Sequence, residues 1–377
     1  MVEPLLDIRG LSIDYEVGAG TFHALTDVSL QMSPGRVLGI VGETGSGKST
    51  LGHAIPRLLA EPPARIRAGR ILFRGTDILQ LPRWKLPLLR GTGIGMIFQE
   101  PINSLNPAYR IFSQVAEAVS VRKLRESGAA PTLFPVVEPH DYSKGKPVKA
   151  SAPFLRAALP TLPGTGSRLP QEALRAEVLD YLKLVRINDP ETILDLYPHE
   201  LSGGMRQRIM IAMALSAKPS LLIADEPTSA LDITIQAQVL TLMKELMDEV
   251  RTSILFISHD LGVIAEMADE VGVLYAGHLV EFGPVEEVYG DPRHPYTKLL
   301  LRSVPNRYKS DGALPALSGS VPSLAKIPSG CPFHPRCPLA RESCAKDPGP
   351  VLQRAPGAVA ATHYSACYFS EEVATIA

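Results

Sequence analysis

The chain has 377 residues, of which 45% are hydrophobic, and its 38 Lys and Arg residues nearly balance 39 Asp and Glu residues. This length predicts two domains, the apolar fraction excludes a wholly disordered chain, and a net charge of −1 argues against nucleic acid as a partner. Because the sequence has no apolar run of about 18 residues and no basic-then-apolar start, we predict neither a spanning helix nor a secretory signal, and a protein kept in the cytosol.

Short runs of β character, LLDIRGLSIDY and HALTDVSLQMS, precede a compact apolar strand, RVLGIVG. A glycine-rich turn follows at once, and then the helical spacing of LGHAIPRLL. Further on, SLLIADEP and TSILFISHD are apolar runs that end in polar residues, as is typical of buried parallel strands. The helical pattern of TIQAQVLTLMKELMDEV lies between them, so the order of elements predicts an α/β fold.

Residues 42–49 match the G-x-x-x-x-G-K-[ST] phosphate loop without exception. Glycines let backbone N–H groups face phosphates at a helix N-terminus, where the helix dipole favours negative charge. Lys48 would reach the β- and γ-phosphates, and Ser49 would bind Mg²⁺. The alternative is a chance glycine-rich turn, but the flanking strand and helix favour a nucleotide site formed by Gly42, Glu43, Thr44, Gly45, Ser46, Gly47, Lys48, Ser49 and Thr50.

Two acids, Asp225 and Glu226, end the apolar strand SLLIAD. The first can hold Mg²⁺ and the second can polarise an attacking water, although alone they could equally form a solvated turn. Upstream, the turn Ser202-Gly203-Gly204 opens the helical pattern MRQRIMIAMAL and offers a second anion-binding helix N-terminus. One nucleotide cannot use both sites on one chain, so a second subunit would supply one of them.

With these motifs in this order, the chain resembles the nucleotide-binding subunits of ATP-binding cassette transporters. The resemblance places Tyr15 on the adenine and Gln99, in MIFQEP, at Mg²⁺ and the attacking water. It makes Ser202, Gly203 and Gly204 part of a signature that acts on the ATP of the other subunit. It also matches His259, in ISHD, to a switch histidine that contacts the γ-phosphate. A loop that crosses the dimer interface corresponds to Ser229, Ala230, Leu231 and Asp232.

The implied catalytic residues are Glu226, His259, Gln99 and Lys48, and the implied Mg²⁺ ligands are Ser49, Gln99 and Asp225. Each has an ordinary alternative: Tyr15 could be a core tyrosine, Gln99 a surface amide and His259 a satisfied histidine. The shared order of the motifs favours the functional interpretation. The resemblance then implies two subunits that sandwich two ATP molecules.

Longer stretches, such as FQEPINSLNP, YPHELSGGMRQRIMIAMAL and HPYTKLLLRSVP, are similar to the oligopeptide, dipeptide and nickel uptake branch of that family. This similarity implies ATP-driven import of peptides or a related small solute through two integral-membrane permease subunits served by an extracytoplasmic binding protein. It also implies a second, related ATPase chain and a peripheral location on the cytoplasmic face of the inner membrane. The alternatives are a soluble regulatory ATPase of the same superfamily and an iron–sulfur redox sensor that uses ATP as a switch.

All four cysteines lie near the end of the chain, at Cys331, Cys337, Cys344 and Cys367. Their spacings do not form the C-x₂-C knuckles typical of structural zinc, whereas four thiolates suit a cubane cluster. Some members of the resembled branch hold a [4Fe–4S] cluster there, so we predict that cluster, with Zn²⁺ or unligated thiols as alternatives. It would staple about 80 proline-rich residues that bury little core by themselves. His334 and His363 are predicted not to replace a cysteine.

We therefore predict a phosphate-loop ATPase core over residues 1–290 and a small metal-binding domain over 291–377. A helical subdomain is predicted at about 100–205, from the periodicity of Leu174, Val178, Leu182 and Val185. An unusual loop at 127–168, rich in Pro, Gly and Ser, interrupts it. This loop is either solvated or, through Lys144, Lys146 and Lys149, a contact with the permease or lipid headgroups.

Overall fold

The computed structural model describes residues 3–18, 20–100, 104–128, 171–229, 231, 233–250, 252–303 and 319–376. Most of the predicted loop at 127–168, including its three lysines, lies outside these residues. The chain divides into two compact units, one formed by Glu3–Gln80 with Leu255–Ala377 and the other by Leu81–Ile254. The predicted domain boundary at 290 stays a prediction.

The strands are, in chain order, β1 Leu6–Val17, β2 Gly20–Met32, β3 Val37–Val41, β4 Ala64–Phe73, β5 Thr76–Asp77, β6 Ile94–Ile97, β7 Leu221–Asp225, β8 Ser253–Ile257, β9 Glu270–Tyr275, β10 His278–Pro284, β11 Gln353–Arg354 and β12 Tyr364–Ser365. The helices are α1 Lys48–Ala54, α2 Leu86–Leu89, α3 Ile111–Glu126, α4 Gln171–Leu184, α5 Pro190–Ile193, α6 Gly203–Ser216, α7 Ile233–Val250, α8 Leu261–Met267, α9 Val285–Gly290 and α10 Pro295–Arg302. These elements confirm the predicted strands and the α/β class. The helix predicted at LGHAIPRLL is shorter than expected, because it ends at Ala54, two residues before Pro56, which has no N–H to continue it.

The first unit contains an antiparallel sheet in the order β2-β1-β4-β5. Apolar residues of β1, such as Leu6, Ile8 and Ile13, are at most 1% exposed because they face the core. A second sheet in this unit has the order β11-β12-β10-β9-β3, with β3 parallel to β9. Strand β3 is buried along its whole length, as expected of a strand covered on both faces.

The last part of the chain joins this second sheet through β12, which pairs with β10. The segment otherwise contains only short elements, including the 3₁₀ turns His334–Arg336, Glu342–Ala345 and Ser370–Thr375. The pairing at Glu281 and Ser365 therefore ties the chain terminus to the sheet that carries β3.

The second unit contains a parallel pair, β6 and β7, and the helices α3, α4 and α6, which pack against one another. In α4 the predicted apolar stripe is present, because Val178 and Leu182 are fully buried, as is Val185 just after the helix. None of the helices within the described ranges is long and apolar enough to span a membrane.

Candidate functional site

The phosphate loop connects β3 to α1 in the first unit. A Cβ atom at Gly42 would lie 2.1 Å from the carbonyl oxygen of Leu274. A Cβ atom at Gly47, where φ is 101°, would lie 2.5 Å from the carbonyl oxygen of Ala24. Both positions therefore require glycine, since any side chain would collide with a backbone carbonyl and, at Gly47, would also strain the backbone.

Lys48 begins α1 and is only 5% exposed. Its Nζ donates hydrogen bonds to the carbonyl oxygens of Gly42, at 2.7 Å, and Glu43, at 3.0 Å. The ammonium group is thus folded back over the loop and holds a positive charge where the loop is predicted to receive phosphates. Of the other predicted contacts, Thr44 and Gly45 are exposed, whereas Ser49 and Thr50 are half-buried in the first turn of α1.

The predicted adenine and switch residues also lie in the first unit. Tyr15 is half-buried in β1, where it pairs with Phe22 and Ala64 of the neighbouring strands. His259 is exposed in the turn between β8 and α8. Asp260 caps α8 by accepting hydrogen bonds from the N–H groups of Gly262 and Val263, so the turn is held in place. The roles of Tyr15 and His259 stay predictions.

In the second unit, the acids end β7 as predicted: Asp225 is 1% exposed and Glu226 follows it. The Nε2 group of Gln99 donates a 3.0 Å hydrogen bond to Oε2 of Glu226. The φ of Glu226 is 46°, in the left-handed region, which costs a non-glycine residue about 1 kcal/mol or more. The fold thus brings together two predicted site residues and holds one of them in a strained conformation.

The turn after Glu226 is held from several sides. The hydroxyl of Ser229 donates to the carbonyl oxygen of Glu226 at 3.1 Å, and the buried amide of Gln207 donates to that of Pro227. Ala230 and Asp232, from the predicted interface loop, lie outside the described residues.

The predicted signature forms the start of α6. Ser202 is the N-cap, and its hydroxyl accepts a hydrogen bond from the N–H of Met205 at 3.3 Å. Ser202 and Gly203 are exposed. A Cβ atom at Gly204 would lie 2.9 Å from Cγ2 of Ile235 in α7, so this glycine allows the two helices to pack closely. The exposed residues leave the start of α6 accessible to a ligand from outside the chain.

The four cysteines line one cavity in the first unit, and all have free thiols. Burial raises the pKa of Cys337 to about 11 and that of Cys367 to about 12, and repulsion from neighbouring cysteines adds to both shifts. Within the described residues, no three His, Cys, Asp or Glu side chains are grouped so that they could hold a metal ion. The sequence-based prediction of a metal-binding domain therefore remains a prediction.

His334 also lines this cavity, and its Nδ1 lies 2.9 Å from the carbonyl oxygen of Cys331. His363 has both ring nitrogens at carboxylates, 2.8 Å from Glu281 and 3.1 Å from Glu287. Both ring nitrogens of His363 are therefore engaged by carboxylates, and its predicted exclusion from the cysteine site stays a prediction.

Comparison with known proteins identifies the family. Residues 25–229 match the family model described as ABC transporter, and residues 280–344 match the oligopeptide/dipeptide transporter C-terminal region. Over 374 residues the chain is 41% identical to a probable peptide ABC transporter ATP-binding protein, y4tR, of Sinorhizobium fredii, covering 99% of this chain and 97% of that one. The chain belongs to the ABC transporter family.

A second relative and one solved structure are also similar to this chain. The oligopeptide transport ATP-binding protein OppD of Bacillus subtilis is 40% identical over 364 residues, which cover 96% of this chain and 88% of that one. The dimeric post-hydrolysis structure of the ATP-binding cassette MJ0796, bound to ADP and Pi, matches with a TM-score of 0.57 and 22% identity over 74% of this chain and 98% of that one. That last likeness concerns the fold alone.

The ABC transporter assignment makes this chain an ATPase coupled to transport and favours that function over a soluble regulatory ATPase or a redox sensor. The structure also reveals two residues that the motifs did not indicate, Arg336 and Tyr296, both in contact with Glu43 of the phosphate loop. They lie far along the chain from the loop, so no local spacing could have selected them.

Proposed function

We propose that this ABC ATPase hydrolyses ATP to energise the uptake of peptides through a membrane permease. The observation that carries the proposal is the combination of a complete phosphate loop with a match to the oligopeptide/dipeptide transporter C-terminal region over residues 280–344. The relatives named as peptide and oligopeptide transport ATP-binding proteins support peptides as the substrate class.

In the proposed mechanism, residues 42–50 receive the phosphates of ATP, and Lys48 offsets the charge that develops on them. Ser49, Gln99 and Asp225 would hold Mg²⁺, which neutralises phosphate charge when bound. Glu226 would orient the attacking water and accept its proton, and the hydrogen bond from Gln99 would keep its carboxylate aimed at that water. Tyr15 would stack on the adenine and His259 would contact the γ-phosphate.

We further propose that the chain works as one of a pair of related ATPase subunits. Ser202, Gly203 and Gly204 would act on the ATP of the other subunit, for which the exposure of Ser202 and Gly203 is a requirement. The pair would sit on the cytoplasmic face of the membrane against two permease subunits that receive substrate from an extracytoplasmic binding protein. A contact of the loop at 127–168 with the permease or with lipid headgroups, as opposed to a solvated loop, also stays a proposal.

For the cysteine cavity we propose a [4Fe–4S] cluster as a structural staple. One feature supports the fit: the four free thiols line one cavity. Thiolates on a single Zn²⁺ lie within about 4 Å of one another because Zn–S bonds are about 2.3 Å long. A cluster of several ions spans more space than one ion, and four thiolates suit its four iron ions.

Uptake of a labelled tripeptide by cells that lack the chain tests the transport proposal. Wild-type protein should restore uptake, and the Glu226→Gln variant should not, although it should be present in the same amount. Restoration by Glu226→Gln would contradict the role of hydrolysis. Peptide uptake that is independent of the chain, while the purified protein hydrolyses ATP, would contradict peptides as the substrate.

Iron, zinc and sulfide analysis of protein purified without oxygen tests the cluster. We expect about four iron and four sulfide ions per chain, and a broad absorbance band at roughly 400 nm. One zinc ion per chain without sulfide would contradict the cluster and indicate a zinc site. The absence of any metal would indicate that the four thiols are unligated.

A further inference from the structure

The phosphate loop is contacted at Glu43 by two residues of the C-terminal part of the chain. The guanidinium of Arg336 donates two hydrogen bonds to the Glu43 carboxylate, from Nη1 to Oε2 at 2.8 Å and from Nη2 to Oε1 at 3.3 Å. The backbone N–H of Glu43 donates to the hydroxyl of Tyr296 at 2.9 Å. Both the side chain and the backbone of this loop residue are therefore held from outside the loop.

The Arg336–Glu43 ion pair is largely buried, and other side chains contact its guanidinium group. The side chain of Arg336 is 6% exposed and that of Glu43 is 28% exposed, so the pair is largely removed from the screening of solvent. Nη1 of Arg336 also donates to the hydroxyl of Tyr275 at 3.3 Å, and the guanidinium lies over the rings of Tyr275 and Phe333 at 5.8 and 5.9 Å. Two parallel hydrogen bonds from a guanidinium fix the orientation of the carboxylate as well as balancing its charge. A lysine would balance the charge without fixing the orientation.

Arg336 is presented by a compact turn between two of the cysteines. The N–H of Cys331 donates to the carbonyl oxygen of Cys344, and the N–H of Arg336 donates to that of Phe333 at 3.0 Å. Phe333 is fully buried against the rings of Tyr275 and Tyr296, with centroids 5.2 and 5.4 Å away. The turn is therefore anchored in the same aromatic cluster that supplies the hydroxyl to the loop.

The phosphate loop is open to solvent beside Glu43. Next to Glu43, Thr44 and Gly45 are exposed, and a Cβ atom at Gly45 would meet nothing within 4 Å. Without its arginine, the Glu43 carboxylate would also place an uncompensated negative charge beside an anion-binding loop. Both effects, a less ordered loop and added repulsion, weaken the binding of a polyphosphate.

We propose that Arg336 is a positioning residue for the ATP site, which holds the phosphate loop through Glu43 and so makes the C-terminal region part of that site. This inference rests on the proposed binding of ATP phosphates at residues 42–50. It goes beyond that proposal because it assigns a nucleotide-binding role to a residue of the cysteine-containing region.

ATP titration of the purified full-length chain tests the inference, with ATPase kinetics and thermal unfolding measured in parallel. Arg336→Ala should weaken ATP binding and raise KM by about tenfold, with a much smaller effect on kcat. Arg336→Lys should recover only part of the affinity, because it restores the charge without the paired bonds. The matched control is Arg341→Ala, which removes a 2.6 Å ion pair with Glu372 in the same region and should leave ATP affinity unchanged.

A second substitution separates a specific effect from a general loss of structure. In a chain that already carries Glu43→Gln, the change Arg336→Ala should cost less than about threefold in ATP affinity, because the pair is already weakened. Should Arg336→Ala fail to fold, Tyr296→Phe gives the independent measurement. It keeps the buried ring, removes the acceptor of the Glu43 N–H, and should weaken ATP binding by about threefold or more.

The inference is overturned if Arg336→Ala binds ATP within about twofold of wild type, or if its effect is the same in the Glu43→Gln background. Should Arg336→Ala not fold, the inference is equally overturned if a folded Arg336→Lys variant binds ATP as the wild type does. Lys48→Ala distinguishes this failure from failure of the proposed function. If wild type does not bind ATP, or Lys48→Ala binds it equally well, then the ATP site itself is wrong.

Discussion

Glu281 provides the sharpest test of how the C-terminal part of the chain is held. Its side chain is fully buried in β10, and its carboxylate accepts hydrogen bonds from three directions. The donors are the N–H of Arg293 at 2.6 Å, the N–H of His294 at 2.9 Å and the Nε2 group of His363 at 2.8 Å. We expect Glu281→Gln to be strongly destabilising, because an amide turns an NH₂ group toward these donors.

The magnitude follows from the burial of the partners. Breaking a buried, hydrogen-bonded charge pair costs about 3 to 5 kcal/mol, because the remaining groups stay buried without compensation. We therefore expect Glu281→Gln to lower the free energy of unfolding by about 3 kcal/mol, as measured by urea denaturation. The control is Glu287→Gln, since the Glu287 side chain is 22% exposed and its loss should cost about 1 kcal/mol.

The same pair predicts a pH dependence. Burial lowers the pKa of His363, but the hydrogen bonds and charges of Glu281 and Glu287 outweigh it and raise that pKa above its ordinary value. A raised pKa stabilises the folded state below the pKa of the unfolded chain, and this contribution is lost as pH rises through the folded pKa. The difference in the free energy of unfolding between wild type and Glu281→Gln should therefore be larger at about pH 6 than at about pH 9.

A loss below about 1 kcal/mol would refute the role of Glu281 as a buried anchor. A difference in stability that stays constant with pH, or grows as pH rises, would instead refute a charged His363 as its partner. Because Glu287→Gln keeps the Glu281 contact, it separates the effect of the fully buried carboxylate of Glu281 from that of the partly exposed carboxylate of Glu287.

Three further predictions concern the ATPase machinery and the second unit. Glu226→Gln should lower ATP hydrolysis by about 100-fold or more while ATP stays bound, as measured by phosphate release and retained nucleotide, and normal turnover would exclude Glu226 as the base. Gly47→Ala should abolish ATP binding in titration, because its Cβ would lie 2.5 Å from the carbonyl oxygen of Ala24, and unchanged affinity would contradict the loop geometry. Arg125→Met should cost about 3 kcal/mol in urea denaturation, because its buried guanidinium donates to Thr92 Oγ1 at 2.7 Å and to two backbone carbonyls, and a cost below about 1 kcal/mol would contradict this.

The local features of this protein were predictable from its sequence. Strand β3, the loop at 42–47 and α1 follow one another directly along the chain. The spacing of the glycines and the lysine therefore sufficed to predict a phosphate loop between a strand and a helix. The apolar stripe of α4 and the acids that end β7 were predictable for the same reason, since each depends on neighbours a few residues away. The resemblance added a shared role for Gln99 and Glu226, which are 127 residues apart and are joined in the fold by a hydrogen bond.

The contacts that connect the C-terminal part of the chain to the loop could not be predicted in this way. Arg336 and Glu43 are 293 residues apart, and Glu281 and His363 are 82 residues apart. The four cysteines could be counted in the sequence, but their position around one cavity could not be derived from their spacing.

The sequence by itself determined the phosphate loop and the class of fold, because hydrogen bonding within a loop and burial along an element depend on adjacent residues. Only the tertiary structure decided that Arg336 meets Glu43 and that His363 meets Glu281. Such pairs depend on which strands lie side by side, here β10 with β9 and β12, and that order is set by the packing of the whole core.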